Sequence, residues 1–439
     1  MRRFTRADLL WLAGIALVAF AVRLAWVLYA EADPTDGRFA DTVFYHVIAF
    51  HMSEGGGYTN PYTFLPTAMF PPGYIFFLVP LYWLFGPDYE IAELANVALA
   101  TASAGLLYLL AWRLAGSGAA RLSAAVFALF PGQVFFTSLV YSEVLFTFVM
   151  LGGLLLLVAA RQRDAGWRWF VAYGVIAGAA ALTRSVGLSM VLIAPLYLLL
   201  ATRDWRTTAQ RTALVAIGAA LLVTPWAVRN AITLGDPIFT SSAAGINLWQ
   251  GHHEGASGGG DAPDALLNTY GPLHRPGGEG DVSTAGVKEA VYFAAHHPLD
   301  EVQLAGDKLR ELYAGDTDWI DLNEQYGQRP FMSSGLRDAL RMTGEVFYFA
   351  VLAVAGLGVL RWLVQRHEAA LLPVVTIVVW SLGHVVTFGD LRYHVPVMPL
   401  FALLAGYGLA WLGLPALRPA ATLLRVAARR RVPEGTPAA

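Results

Sequence analysis

The chain has 439 residues, 56% of them hydrophobic and only 14% charged, and its mean hydropathy is +0.51, which excludes an ordinary water-soluble domain of this length. A formal net charge of -2 gives no reason to expect a nucleic-acid partner, and the lack of cysteine excludes disulfides, thiolate metal sites and cysteine nucleophiles. Thirteen Trp and 18 Tyr suit a chain whose amphipathic rings lie at membrane interfaces.

From the N-terminus, Arg2, Arg3 and Arg6 precede an apolar stretch running from Leu9 to Ala30. It is too long for the core of a secretory signal and has no convincing small-residue cleavage site, so it reads as a first membrane anchor. Further spans of about 20 residues are expected at 92–112, 120–140, 143–160, 169–183, 186–202, 211–231, 343–360, 369–388 and 395–414. The fold class is therefore an all-α polytopic membrane protein of roughly ten crossings.

Charge placement orients the spans, because cytoplasmic loops carry excess Lys and Arg. With the N-terminus inside, the inside connections contain Arg113 and Arg121, then Arg161, Arg163 and Arg168, then Arg203, Arg206 and Arg211, then Arg361 and Arg366. The tail with Arg418, Arg425, Arg429, Arg430 and Arg431 also falls inside, whereas outward segments hold Asp33, Asp36, Asp41, Asp88 and Glu90. Residues 71–86 are apolar but short, contain Pro80 and run into a polar turn. Counting them as a span would invert every later loop, so they read as a re-entrant or interfacial helix.

Residues 1–234 thus form an N-terminal transmembrane module with a first outward loop at 31–91. Residues 235–342 form a second outward loop or subdomain, 343–414 the C-terminal transmembrane helices, and 415–439 a basic cytoplasmic tail. The second loop opens with Gly- and Asp-rich sequence, including Asp261 and Asp264, and continues with helix-like sequence from Ala285 to Tyr313. No internal repeat is visible.

The first loop carries the densest polar chemistry: Asp41, Tyr45 and His46, then Glu54-Gly55-Gly56-Gly57-Tyr58, then Pro71-Pro72-Gly73. Asp41 and Tyr45 share a face if the segment is helical. A carboxylate there could be a general base toward an acceptor hydroxyl or cap the helix beginning at Thr42, and spacing leaves both open. Ser142-Glu143 follows another outward helix end, as a binding pair or a cap. Arg184, Arg229 and Arg392 stand at outward helix ends against the positive-inside bias, where they could bind phosphate or reach lipid headgroups. His252-His253 near Glu254 lacks the spacing of a metal site and reads as solvated loop, and His296-His297 before Pro298 reads as a helix end. Arg23, Glu93 and His384 lie within spans and take no assigned role.

Asp41-x-x-x-Tyr45 after the first span, the Gly-rich turn, Pro71-Pro72-Gly73, Ser142-Glu143 and Arg392-Tyr393-x-x-Pro396 before the last span come in an order that resembles the GT-C glycosyltransferases. Within them it is most similar to the family 39-like branch of protein mannosyltransferases and the aminoarabinose transferase of lipid A. Gly245-Ile246-Asn247-Leu248 through Gly251-His252 also resembles a segment of those relatives, with His252 where Asn is common. The resemblance implies a GT-C-like bundle with interfacial helices in the first outward loop. It further implies a polyprenyl-phosphate-linked sugar as donor, and inverting transfer outside the cytoplasm to a glycan, lipid or protein acceptor, in a bacterial plasma membrane with both termini cytoplasmic.

Carried over, Asp41 becomes the base. Arg392 with Tyr393, and Arg229 and Arg184, become candidates for donor phosphate, and Glu143 one for acceptor or cation. Tyr45, His46 and Tyr58 are further first-loop candidates. No cofactor follows with certainty, and a divalent cation is left open. Two other classes fit part of the pattern. A secondary transporter or flippase would show repeats and midplane polar groups, and an undecaprenyl-diphosphate glycan ligase or polymerase would consume a diphosphate-linked donor.

Overall fold

Hydrocarbon supplies no partner for a peptide N–H or C=O, so a spanning segment must pair its backbone internally. A computed structural model of the chain describes residues 3–30, 40–260, 278–326, 331–366 and 368–412. Among the described residues all regular structure is helical, apart from one isolated antiparallel bridge between Thr59 and Pro66. Asp33, Asp36, Asp261, Asp264, Arg2 and the basic tail of 415–439 lie outside the described residues.

In chain order the helices are α1 (Arg6–Ala30), α2 (Ala40–Ser53), α3 (Gly73–Phe85), α4 (Tyr89–Ala115), α5 (Ser117–Ala128), α6 (Pro131–Phe135), α7 (Glu143–Gln162), α8 (Trp167–Thr183), α9 (Ser189–Thr202) and α10 (Trp205–Leu234). Then come α11 (Ala243–Gln250), α12 (Gly278–His296), α13 (Pro298–Tyr313), α14 (Asp318–Tyr326), α15 (Ser334–Gln365), α16 (Leu371–Val386) and α17 (Met398–Trp411). Among the described residues eight helices are long and apolar enough to cross a membrane, nine if the bent pair α5–α6 is one span. The chain is a multi-pass integral membrane protein. The remaining expected crossing is α8, whose 17 residues pack along α10.

The span expected at 120–140 is broken by 59° between α5 and the segment Pro131–Ser138. Pro131 cannot donate a backbone hydrogen bond, and the break strands carbonyls at the end of α5. Arg23, fully buried on α1, donates to the carbonyls of Phe127 at 3.2 Å and Ala128 at 2.9 Å. This intramembrane charge therefore satisfies broken backbone. The 71–86 segment forms α3, 13 residues with Pro80 inside, too short to cross by itself.

Lipid tails are as apolar as Leu, so spans associate through close packing and interhelical hydrogen bonds. Gly174 of α8 faces Gly218 of α10 so closely that a Cβ on either would collide with a carbonyl of the other helix. Asn96 of α4 donates to the Leu139 carbonyl at 2.9 Å, and Tyr74 of α3 donates to Asn96 at 3.3 Å.

One end of the bundle collects the basic connections. Arg121 faces Asp8 at 3.2 Å, Arg161 faces Glu368 at 2.7 Å, and Arg211 faces Asp164 at 2.8 Å. The other end carries α2, α3 and the helices α11 to α14. The helix-like sequence from Ala285 to Tyr313 lies in two helices, and α12 ends at His296 with Pro298 at the first position of α13, as the helix end read at His296-His297 expects. The span expected at 343–360 is the inner part of the 32-residue α15.

Candidate active site

Asp41 lies in the first turn of α2, where a carboxylate complements the partial positive charge of the helix N-terminus. Because α2 begins at Ala40 rather than Thr42, Asp41 is inside the helix, with Tyr45 one turn on along the same face. Its Oδ2 accepts a hydrogen bond of 2.7 Å from Arg392 Nη1. Arg392 stands on a 3-10 turn, Leu391–Val397, capped by Asp390, whose Oδ1 accepts from the Arg392 backbone N–H at 2.9 Å. The guanidinium lies 5.2 Å from the ring centres of both Tyr141 and Tyr393, within cation–π range. The Asp41 and Arg392 side chains remain 27% and 21% exposed, so a ligand can reach the pair.

Behind it stands a second pair in a drier place. Glu143, in the first turn of α7, has Oε1 2.5 Å from Arg184 Nη1, with side-chain exposures of 1% and 14%. Arg184 also donates to Ser142 Oγ at 3.1 Å and lies 5.0 Å over the Tyr393 ring. Tyr45 donates to the same Ser142 Oγ at 3.4 Å. Burial, then the Asp41 and Glu143 charges, push the Tyr45 phenol up, so it stays protonated and acts as a donor. Asp41, Arg392, Tyr393, Arg184, Glu143, Ser142 and Tyr45 thus form one cluster in which each acid faces an arginine.

The turn carrying Arg392 is pinned from behind. His394 Nδ1 donates to the Leu312 carbonyl at 3.0 Å, and its Nε2 meets Asp316 Oδ1 at 3.1 Å. Both side chains are buried, and burial raises the Asp316 carboxyl above its usual range. The first loop is held by Glu279 of α12, which accepts from Ala68 N and Ser242 Oγ at 2.9 Å and from Thr67 Oγ1 at 2.5 Å.

Three sequence candidates fall outside the cluster. Arg229 donates to the carbonyls of Thr67 at 2.7 Å and Tyr58 at 2.9 Å, and lies over the Trp226 ring. Tyr58 is buried and donates to the Phe70 carbonyl at 2.8 Å. Both line a largely apolar cavity of about 790 Å³ among α3, α7, α8 and α10, with Phe76, Leu145, Leu182 and Trp226. His46 stacks on Tyr89 at 3.9 Å and shares a 2.9 Å hydrogen bond with the Tyr82 hydroxyl. Burial pushes its pKa down to about 4, so it anchors α2 to α3 and α4 as a neutral ring.

The solvated-loop reading of His252 is overturned. The ring is buried, with Nδ1 2.7 Å from Glu301 and Nε2 3.0 Å from Lys308 Nζ, because α13 closes over the loop. Among the described residues no three His, Asp or Glu side chains gather as a metal site. Asp41 and Glu143 each face an arginine instead, so this donor set does not fit a divalent ion. Sequence reasoning missed Tyr141, Asp390, Asp316 and Glu279. Only Tyr141 and Asp390 carried a signal, as neighbours of Ser142-Glu143 and Arg392.

Residues 70–228 match the model of the dolichyl-phosphate-mannose-protein mannosyltransferase family. No curated relative matches the sequence. The fold is similar to that of the Archaeoglobus fulgidus oligosaccharyltransferase AglB in complex with an inhibitory peptide and a dolichol-phosphate. That match has a TM-score of 0.57 and 14% identity over 99% of this chain and 53% of that one. The complex of the Archaeoglobus fulgidus oligosaccharyltransferase with Zn and sulfate gives a TM-score of 0.53 and 15% identity over 92% and 49% of the two chains. ArnT from Cupriavidus metallidurans bound to undecaprenyl phosphate gives 0.43 and 19% over 91% and 77%. The chain spans about half the length of the oligosaccharyltransferases it matches. With regular structure that is helical among the described residues apart from one bridge, and with this likeness across nearly all of its length, the chain has the GT-C fold of membrane glycosyltransferases.

Proposed function

We propose that the protein transfers a sugar from a polyprenyl-phosphate donor to an acceptor hydroxyl on the non-cytoplasmic side of the membrane, with inversion. The observation that carries this is the accessible Asp41–Arg392 pair, a carboxylate and a guanidinium 2.7 Å apart, which supports reading them as base and phosphate-binding fork. The family match over 70–228 and the dolichol-phosphate in the AglB complex support a lipid-phosphate donor. The cavity walled by Phe76, Leu182 and Trp226 suits its isoprenoid tail.

The donor phosphate competes with Asp41 for Arg392, whose planar fork donates two parallel hydrogen bonds to phosphate. Once Arg392 turns to phosphate, Asp41 is free to accept a proton. The acceptor oxygen then attacks the anomeric carbon and its proton passes to Asp41. The bond from that carbon to the phosphate oxygen breaks, leaving its electron pair on the phosphate beside Arg392. Attack opposite the leaving group inverts the anomeric centre. Arg184, held by Glu143, adds hydrogen-bond donors beside the same place.

The test is product analysis with purified protein in lipid nanodiscs. Release of polyprenyl monophosphate with inversion is the expected result. Consumption of a diphosphate-linked sugar in its place would overturn the assignment.

A further inference from the structure

At the end of the bundle away from Asp41, helices α1, α4, α7 and α8 leave a groove of about 570 Å³. Apolar side chains including Leu12, Leu109 and Leu155 line it, together with Trp112 and two arginines, Arg113 and Arg163. Arg113 is in the last turn of α4, and Arg163 follows the last residue of α7. The acids at this end are engaged elsewhere, Asp8 with Arg121, Asp164 with Arg211, Glu368 with Arg161 and Asp204 as the cap of α10. Arg113 donates only to the neutral Gln162 at 3.4 Å, and Arg163 lies 5.6 Å over the Trp169 ring. The two arginines line the same groove, and among the described residues neither has an ion-pair partner.

A groove with a hydrocarbon floor and two uncompensated guanidinium groups at helix ends is complementary to an anion carrying an apolar tail. Basic pockets between helices on the cytoplasmic side are suited to anionic headgroups. We propose that this groove binds an anionic phospholipid, its phosphodiester between Arg113 and Arg163 and an acyl chain along the leucines. The site is independent of the sugar transfer, whose donor is required at the opposite end.

Native mass spectrometry of the full chain in neutral detergent, titrated with phosphatidylglycerol or phosphatidylcholine of the same chains, reads the bound fraction. Wild type should bind phosphatidylglycerol more tightly. Arg113→Gln with Arg163→Gln should weaken that binding about thirtyfold, at roughly fivefold per arginine, and leave phosphatidylcholine unchanged. Arg206→Gln, exposed and stacked on its own neighbour Trp205, should change neither. Gly152 lines the groove, and a Cβ there meets nothing nearer than Leu106 at 3.9 Å. Gly152→Leu should therefore weaken both lipids, and it tests the groove should the double arginine variant fail to fold. Equal binding of the two lipids by wild type, a preference retained without both arginines, or displacement of phosphatidylglycerol by equimolar polyprenyl phosphate would overturn the proposal.

Discussion

Asp41→Asn separates a base from a residue that only holds Arg392 in place. The substitution keeps the shape of the side chain and removes its charge and its capacity to take up a proton. Because the pair is 27% and 21% exposed, its loss should cost no more than about 1 kcal/mol of stability. Arg392 also keeps the Tyr141 and Tyr393 rings and, 3.9 Å from its Nε, Asp390. Loss of a general base costs roughly 10²- to 10⁴-fold in rate. The variant should therefore melt within a few degrees of wild type while kcat for sugar transfer drops at least a hundredfold. Donor binding supplies the sharper readout. With its competitor removed, Arg392 is free for phosphate, so donor affinity in Asp41→Asn should be unchanged or tighter. If Asp41 only positioned Arg392, the donor would bind more weakly and the loss would appear in KM. Turnover within tenfold of wild type at saturating donor would refute the assignment.

Arg392→Lys should raise donor KM by about tenfold or more, because an ammonium cannot reproduce the paired donation of guanidinium to phosphate; steady-state kinetics at varied donor measures it. Glu143→Gln leaves Arg184 buried without its carboxylate and should destabilise by about 3 kcal/mol or more. Adding Arg184→Gln should recover part of that loss, read as the melting temperature in detergent. His46 has its pKa pushed down to about 4 from an ordinary value near 6.5. Between these values the unfolded chain takes up a proton that the folded chain refuses, so stability is intact above about pH 6.5 and falls as pH drops toward 4. His46→Asn should flatten that part of the melting curve against pH.

The spans were legible because the bilayer imposes length and apolarity on any segment that crosses it. Loop arginines at 113, 161 and 211 were legible as one group, and the structure gathers them at one end. The break after Ala128 was not. Pro131-Gly132 lies within residues 120–140, but the group that stabilises the break, Arg23, is 105 residues away from Ala128. His252 was misread for the same reason, because Glu301 and Lys308 arrive from a helix about fifty positions later. The site was readable as residue types but not as a geometry. Asp41 and Arg392 are 351 positions apart, and neither loop alone contains anything to bring the other to 2.7 Å.

Charge alternation within the cluster explains how Arg184 and Arg392 persist at the end of the bundle whose loops carry an excess of acids. An unpaired buried guanidinium costs several kcal/mol, which Glu143 offsets for the enclosed Arg184, while the partly exposed Arg392 is balanced by Asp41. The two neutralisations differ in solvent access. Glu143 is almost wholly enclosed, so exchanging its partner would require opening the core around α7 and α8. Asp41 lies where an incoming anion can replace it without disturbing a helix. A phosphate that takes Arg392 removes one negative neighbour from the guanidinium and supplies another, so local charge balance is kept while a carboxylate is released. The inner pair thus keeps its own charge balance and holds Arg184 in place. On the proposed reading, the outer pair would couple arrival of the donor to exposure of the base and keep that base engaged until there is a sugar to transfer.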